Sequence, residues 1–173
     1  MDLAKLIRNV PDFPKKGIQF KDITTLLKHP EAFRHVIDGW KAEYQDKDID
    51  AIVGAEARGF IFGAALAYAM DIPFVPVRKP GKLPAETIAE TFELEYGTDT
   101  LEIHVDALNE GDKVLLVDDL LATGGTMAAI CRLVERLGAK VEHILFVVEL
   151  PPLRGREKLA GYPSSALVEF MVE

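Results

Sequence analysis

VLLVDDLLATGGTM, residues 114 to 127, decides how this chain is read. Its first four residues, Val114 to Val117, are apolar and suit a strand buried on both faces of a parallel sheet. They run into two adjacent carboxylates and then into a glycine-rich turn that opens a helix near Thr126. In that turn Ala122, Thr123, Gly124, Gly125 and Thr126 can aim several backbone N–H groups at one anion. The helix N-terminus adds partial positive charge, and glycine permits φ > 0. A phosphate there needs no lysine.

The paired acids, Asp118 and Asp119, set this loop apart from other phosphate loops. Neither glycine is followed by Lys-Ser or Lys-Thr, and no G-x-G-x-x-G fingerprint follows a strand, which excludes Walker and dinucleotide loops. Two carboxylates beside a phosphate cradle repel pyrophosphate unless something intervenes. Ribose hydroxyls can donate hydrogen bonds to them, and a Mg²⁺ can bridge acids, hydroxyls and phosphate through its waters. These residues together describe a ribose 5-phosphate pocket, with Asp118 and Asp119 reaching the metal through water.

Working outward, 173 residues that are 49% hydrophobic are enough for one globular domain with a sizeable core. A formal net charge of −8 argues against a general nucleic-acid or anionic-membrane binder, which needs an excess of Lys and Arg. Neither kind of partner is expected. The single cysteine, Cys131, excludes an intrachain disulfide and a CxxC metal site, and it is read as core packing. His29, His35, His104 and His143 lack metal-ligand spacing. No signal peptide and no apolar run of membrane-spanning length is evident, so a reducing cytoplasm is the default location.

Helical and strand signals alternate along the chain. MDLAKLIRNV reads as a short amphipathic helix. A Pro/Gly-punctuated segment follows, then a helix from Pro30 to about Asp46 with Phe33, Ile37, Trp40 and Tyr44 on one face. Strands are predicted at Ile49–Val53, Phe74–Val77, Val114–Val117 and Val141–Val148, with helices at Ile61–Met70 and Met127–Leu137. The repeated strand–helix–strand order predicts an α/β fold: one mostly parallel twisted sheet flanked by helices. Residues 80 to 110 break the rhythm. Thr87–Glu95 and Thr100–Val105 read as two strands joined at Gly97 and Thr98, a hairpin flap over the site. The tail is expected to add a short helix and an edge strand.

In such sheets ligands bind beyond the carboxyl ends of the strands, so the loops after Val53, Val77 and Val117 should converge. The first carries Glu56, Ala57 and Arg58, a small-residue backbone with one arginine suited to pyrophosphate. The second carries Arg78, Lys79 and Lys82 between prolines, placed to neutralise a leaving pyrophosphate.

These segments resemble the type I phosphoribosyltransferases. The resemblance rests on the loop at 114 to 127, PDFPKKGIQFKDIT at 11 to 24, EARGFIFG at 56 to 63, VRKPGKLP at 77 to 84 and FELEYGTDTLEIHVDAL at 92 to 108, in the family's order. It implies one domain over residues 1–173, with a purine-binding hood at 1–30, a flexible flap at 80–110 and a homodimer whose basic loop serves a neighbouring site. It also implies a strained or cis peptide near Glu56 and Ala57. In the hood, Phe20 and Leu120 would sandwich the purine, a backbone carbonyl near Gln19 would accept from its exocyclic amine, and Lys21, standing where many members carry arginine, would donate to a purine ring nitrogen without arginine's planar fork. On the flap, Glu95 would handle the purine proton, beside Tyr96. Arg58 and Lys79 would stabilise the leaving group. The implied reaction joins adenine to phosphoribosyl pyrophosphate, with Mg²⁺, giving AMP and pyrophosphate. Xanthine, hypoxanthine or guanine stay open as the base. A regulator that senses phosphoribosyl pyrophosphate stays open too, although the acidic balance disfavours the DNA-binding module it would need.

Overall fold

The computed structural model describes residues 1–94 and 96–171. Five strands, β3 (Ala51–Ala55), β4 (Phe74–Val77), β7 (Lys113–Leu121), β8 (Lys140–Glu149) and β9 (Ser164–Glu169), form one sheet in the order β4-β3-β7-β8-β9. Every neighbouring pair in it is parallel. Alternation along the buried strands divides the core in two. Ile52, Leu115, Val117, Leu145 and Val147 face α2 (Pro30–Tyr44) and α3 (Arg58–Met70), where Val36, Trp40, Phe62 and Leu66 meet them. Val53, Val114, Leu116, Ile144 and Phe146 face α4 (Gly125–Arg136), against Ile130, Leu133 and Val134. Helices on both faces are what strands apolar throughout require.

The central strand is longer than the sequence suggested. Its apolar run ends at Val117, yet β7 continues through both acids to Leu121, because β8 offers partners that far: Asp118 lies opposite Phe146, and Leu121 opposite Glu149. An available ladder partner keeps the backbone extended whatever the side chains are. Asp118 and Asp119 thus stand on a strand of the sheet, where the backbone is held, and not on the loop beyond it.

The N-terminal segment differs more. The expected amphipathic helix is a single 3₁₀ turn, Leu3–Leu6, and Arg8–Pro11 forms β1 against β2 (Gln19–Asp22). Leu3 and Ile7 are buried as an i, i+4 pair, which imitates a helical stripe. Antiparallel pairing across the connecting residues claims the rest. A four-residue helix, α1 (Thr24–Leu27), follows.

The hairpin is present as β5 (Thr87–Glu93) and β6 (Thr98–His104), with Glu93 opposite Thr98. The reversal therefore falls earlier than Gly97–Thr98, and Gly97 takes the positive-φ position that ends it, its carbonyl accepting the Leu94 N–H at 2.9 Å. The hairpin's stem packs on α4. Phe92, Leu101 and Ile103 join the core on that side, Arg132 and Arg136 pair with Glu90, and Arg136 also donates to the Ala89 carbonyl at 2.6 Å. In the tail the expected helix is two 3₁₀ turns, Pro151–Leu153 and Gly155–Glu157, and β9 is the edge strand. No helix among the described residues is long and apolar enough to cross a membrane.

Candidate active site

The carboxyl ends of β3, β4 and β7 lie side by side, and a cleft of about 270 Å³ opens at β3 and β7. Glu56, Ala57 and Arg58 form one wall. Asp118 to Met127 form the other, with Phe146 behind. Ala122, Thr123, Gly124, Gly125 and Thr126, singled out as the phosphate cradle, all line it, as does Leu120. Gly124 caps α4 with φ +89°, a conformation that a Cβ resists. Twelve helical residues follow, so the loop feeds a helix long enough to present a dipole towards the cleft.

Close packing brings the first loop to the acids. A Cβ on Gly59 would lie 2.9 Å from the Val117 carbonyl oxygen and 3.1 Å from Asp118 Oδ1, so only glycine lets the first turn of α3 approach β7. Arg58, one residue earlier, then donates from Nε to Asp119 Oδ2 at 2.5 Å. Asp119 is 3% exposed and Arg58 far more open, so the charge pair faces the cleft from a buried acid. Burial opposes the charge on Arg58, but Asp119 and then Asp118 outweigh it and raise its pKa. Asp118 accepts the Asp119 N–H at 2.8 Å. Burial, and next the Asp119 carboxylate beside it, push the Asp118 carboxyl well above the usual range. The peptide between Glu56 and Ala57 is cis, as the resemblance implied.

The basic loop closes on the same wall. Glu56 Oε1 accepts from Arg78 Nε at 3.0 Å and from the Lys79 N–H at 2.9 Å. Burial works against the charge of Glu56, but these donors prevail and hold its pKa below normal. Lys79 faces Asp99 of the hairpin at 3.9 Å, and Lys82 is exposed. Neither lines the cleft. Each of the three cations expected to meet pyrophosphate nearest the acids is therefore already opposite a carboxylate: Arg58 with Asp119, Arg78 with Glu56, Lys79 with Asp99.

The purine side is less assembled. Phe20 lies under the Arg58 guanidinium, 5.5 Å from ring centre to Cζ, which brings β2 to the mouth of the cleft. Gln19 accepts at Oε1 from Asn9 at 2.8 Å. Lys21 does not point to the cleft: its ammonium is buried, donates to Asn9 Oδ1 at 2.7 Å and sits 4.8 Å from the Phe170 ring centre. Burial lowers its pKa. Tyr96 is 85% exposed, and Glu95 lies outside the described residues. Asn9, Asp99, Glu149 and Arg156 were not anticipated, since each is defined by a partner that only the folded chain brings to it and no local pattern marks it.

Among the described residues no cluster of three or more His, Cys, Asp or Glu could cage a metal. The donor set fits a hydrated Mg²⁺ instead, which takes one or two carboxylates and completes its shell with water and substrate phosphates. Asp118 and Asp119 supply two carboxylates, and bonds to Arg58 and a backbone N–H leave an oxygen of each for that role.

A cleft made of strand-borne acids and an N–H-rich turn opening a helix suits a sugar phosphate in its chemistry, and the phosphoribosyl transferase domain matches residues 22–162. The chain belongs to that family. It is 56% identical over 169 residues to an adenine phosphoribosyltransferase of Roseiflexus sp. (strain RS-1), spanning 98% of each chain. The adenine phosphoribosyltransferase of Thermoanaerobacter pseudethanolicus superposes with a TM-score of 0.94 at 55% identity, over 98% of both chains. That of Saccharomyces cerevisiae, solved with an imino-altritol bisphosphate and adenine, gives 0.91 at 42% identity, over 96% of both.

Proposed function

We propose that this chain transfers the 5-phosphoribosyl group of phosphoribosyl pyrophosphate to adenine, giving AMP and pyrophosphate in purine salvage. The observation that carries the reading is the meeting of Asp118 and Asp119 with the Ala122–Thr126 turn in one cleft. The turn's N–H groups hold the 5-phosphate. The acids accept from the ribose hydroxyls, and Asp119 releases Arg58 to the pyrophosphate as substrate enters. Magnesium, carried in with the substrate, would supply charge neutralisation to the leaving group.

At C1′ the bond to pyrophosphate breaks, its electron pair leaving with the diphosphate, while a purine ring nitrogen supplies the pair for the new bond. Arg58, Lys79 and the backbone N–H groups of Ala57 and Arg58 stabilise the growing negative charge, the Glu56 N–H being held by the Val77 carbonyl at 3.1 Å. Arg78 and Lys82 add positive potential behind them. Glu95 takes the purine proton, and the hairpin tip with Tyr96 closes to keep water from the oxocarbenium-like centre. Phe20 and Leu120 stack on the base, and a carbonyl near Gln19 accepts from its amine. Lys21, held by Asn9 and Phe170, acts on the base by fixing β2 rather than by contact.

A homodimer is part of this reading. The open side of α3 carries Ile61 and Tyr68, the latter 80% exposed, with exposed Ala64 between them, an apolar face suited to a second copy. The setting is the cytoplasm. The test is AMP formation from adenine, phosphoribosyl pyrophosphate and Mg²⁺, with hypoxanthine, guanine and xanthine as competitors. Product from adenine alone is expected; turnover of another purine at a higher kcat/KM would overturn the choice of base, and none at all the reaction.

A further inference from the structure

The underside of the phosphate cradle is as closely built as the side that faces the cleft. Gly155, in the 3₁₀ turn after β8, presses its backbone against the loop. A Cβ on Gly155 would lie 2.4 Å from the Ala122 carbonyl oxygen and 2.8 Å from Leu121 Cδ1, and a Cβ on Gly124 would lie 2.5 Å from the Gly155 carbonyl oxygen. Two segments some 30 residues apart thus meet backbone to backbone, beside the Leu121 side chain. The cradle's positive-φ residue rests on this floor.

What holds the floor is the residue beside it. Arg156 donates from Nε and Nη2 to both oxygens of Glu149 at 2.8 to 2.9 Å, and from Nη1 to the Ser164 carbonyl at 2.9 Å and the Ser164 hydroxyl at 3.0 Å. Glu149 is 4% exposed and stands at the end of β8, opposite Leu121 of β7 and Glu169 of β9. The next N–H, of Leu150, donates to the Leu121 carbonyl at 3.0 Å. The guanidinium therefore ties the turn to the same strand ends that launch the cradle. A bidentate fork fixes direction as well as distance, which a lone ammonium does not.

We propose that Glu149 and Arg156 are positioning residues for phosphate binding: through Gly155 they set the height and orientation of the Ala122–Thr126 turn, and so govern affinity for the 5-phosphate of the ribose. Neither residue lines the cleft. The inference rests on the assignment of that turn to the phosphate, and predicts a split that general loss of stability does not produce. Ligands bearing a 5-phosphate weaken, whereas adenine, read by Phe20 and the hood, does not.

The experiment compares the parent with the double variant Glu149→Leu/Arg156→Met, with Arg156→Lys and with Gly155→Ala. Removing one partner alone would strand a buried charge, whereas replacing both with apolar groups of similar volume is commonly neutral for stability, so the double variant keeps the fold while losing the fork. Ribose 5-phosphate and AMP binding are read by calorimetry, and KM for phosphoribosyl pyrophosphate and for adenine by steady-state rates. Misaligned N–H groups lose charge-assisted hydrogen bonds to the phosphate, so a rise in the ribose 5-phosphate Kd of roughly ten-fold or more is expected in the double variant and in Gly155→Ala. Arg156→Lys should fall between these and the parent. The KM for adenine should stay within about two-fold. A folded double variant that binds ribose 5-phosphate as the parent does would overturn the brace. Equal losses for adenine and phosphoribosyl pyrophosphate would reduce it to ordinary stability and overturn it too. A parent that fails to bind ribose 5-phosphate would overturn the phosphate assignment itself.

Discussion

Ala122–Thr126 lies between a buried strand and a buried helix, with β8 beside it and Gly155 beneath, whereas Gln19–Asp22 belongs to a two-stranded sheet. The first is enclosed by Leu121, Met127 and Phe146, each no more than 2% exposed. The second is held by polar ties at the surface: Arg8 to Asp22, Asp22 to the Thr24 N–H and hydroxyl at 2.9 and 2.7 Å, and Thr25 to the Leu6 carbonyl at 2.6 Å. Two-stranded sheets are marginal alone, and a loop clamped by core strands is not. The difference teaches how the work divides. On the proposed reading, the half of the site that would meet the charged sugar phosphate is formed in advance, and the half that would meet the base is left to close around it. The hairpin repeats the pattern, its stem docked on α4 by Phe92 and its tip exposed at Leu94 and Tyr96.

The sharpest way to break this contrast is at the tip. Glu95→Gln keeps shape and one acceptor but removes most of the basicity, so kcat in a rapid-quench first turnover should fall about 10²- to 10⁴-fold, with dissociation constants within a few-fold of the parent. A parent-like first turnover would make Glu95 only part of the lid. Next comes the preformed half. Gly124→Val must hold φ near +89° and meet the Gly155 carbonyl. At roughly 1 to 3 kcal/mol of strain, AMP affinity by equilibrium dialysis should drop about 5- to 150-fold. Parent-like AMP retention would put the phosphate elsewhere.

Asp118→Asn with Asp119→Asn removes two charged acceptors from the sugar. Phosphoribosyl pyrophosphate affinity should weaken about ten-fold or more, and the Mg²⁺ concentration giving half-maximal rate should rise. Affinity unchanged at every Mg²⁺ concentration would detach the acids from the substrate. On the hood, Phe20→Leu loses a stacking ring, so KM for adenine should rise about two- to ten-fold while KM for phosphoribosyl pyrophosphate holds. Equal shifts in both would erase the division between the halves.

The smallest expected effect is in acid. The Thr24 hydroxyl first, and then Arg8, lower the Asp22 pKa to about 2. A depressed carboxylate stabilises the fold fully above its unfolded pKa of about 4 and loses that contribution as pH falls towards 2. The melting-temperature gap between the parent and Asp22→Asn should therefore be present at pH 6 and close between pH about 4 and 2. No gap at pH 6 would remove Asp22 from the hood's anchoring, and a gap undiminished at pH 2 would remove its charge from that role.

What the sequence disclosed follows the same line. The strand, acids, turn and helix at 114 to 136 were readable because glycines, paired acids and apolar period all act within one short stretch. How far β7 extends was not readable, since its pairing through Leu121 depends on where β8 lies. The opening residues misled because Leu3 and Ile7 satisfy a helical spacing, while the pairing of Arg8–Pro11 with Gln19–Asp22 leaves no local mark. Lys21 was expected to reach the purine, and its turn towards Asn9 and Phe170 depends on chain ends meeting in space. The Glu149–Arg156 fork spans only seven residues, but it depends on how the chain turns back beside β9, and no local pattern marks it.

The most direct measurement is a pair of crystal structures, of the free protein and of its AMP complex. The phosphate should accept hydrogen bonds from backbone N–H groups of residues 123 to 126, with that loop and Gly155 moving less than about 1 Å, while β1–β2 and the tip around Leu94 and Tyr96 close by more. A phosphate bound away from the turn, or a turn rebuilt around AMP while hood and tip stay still, would contradict a preformed phosphate site served by a closing base site.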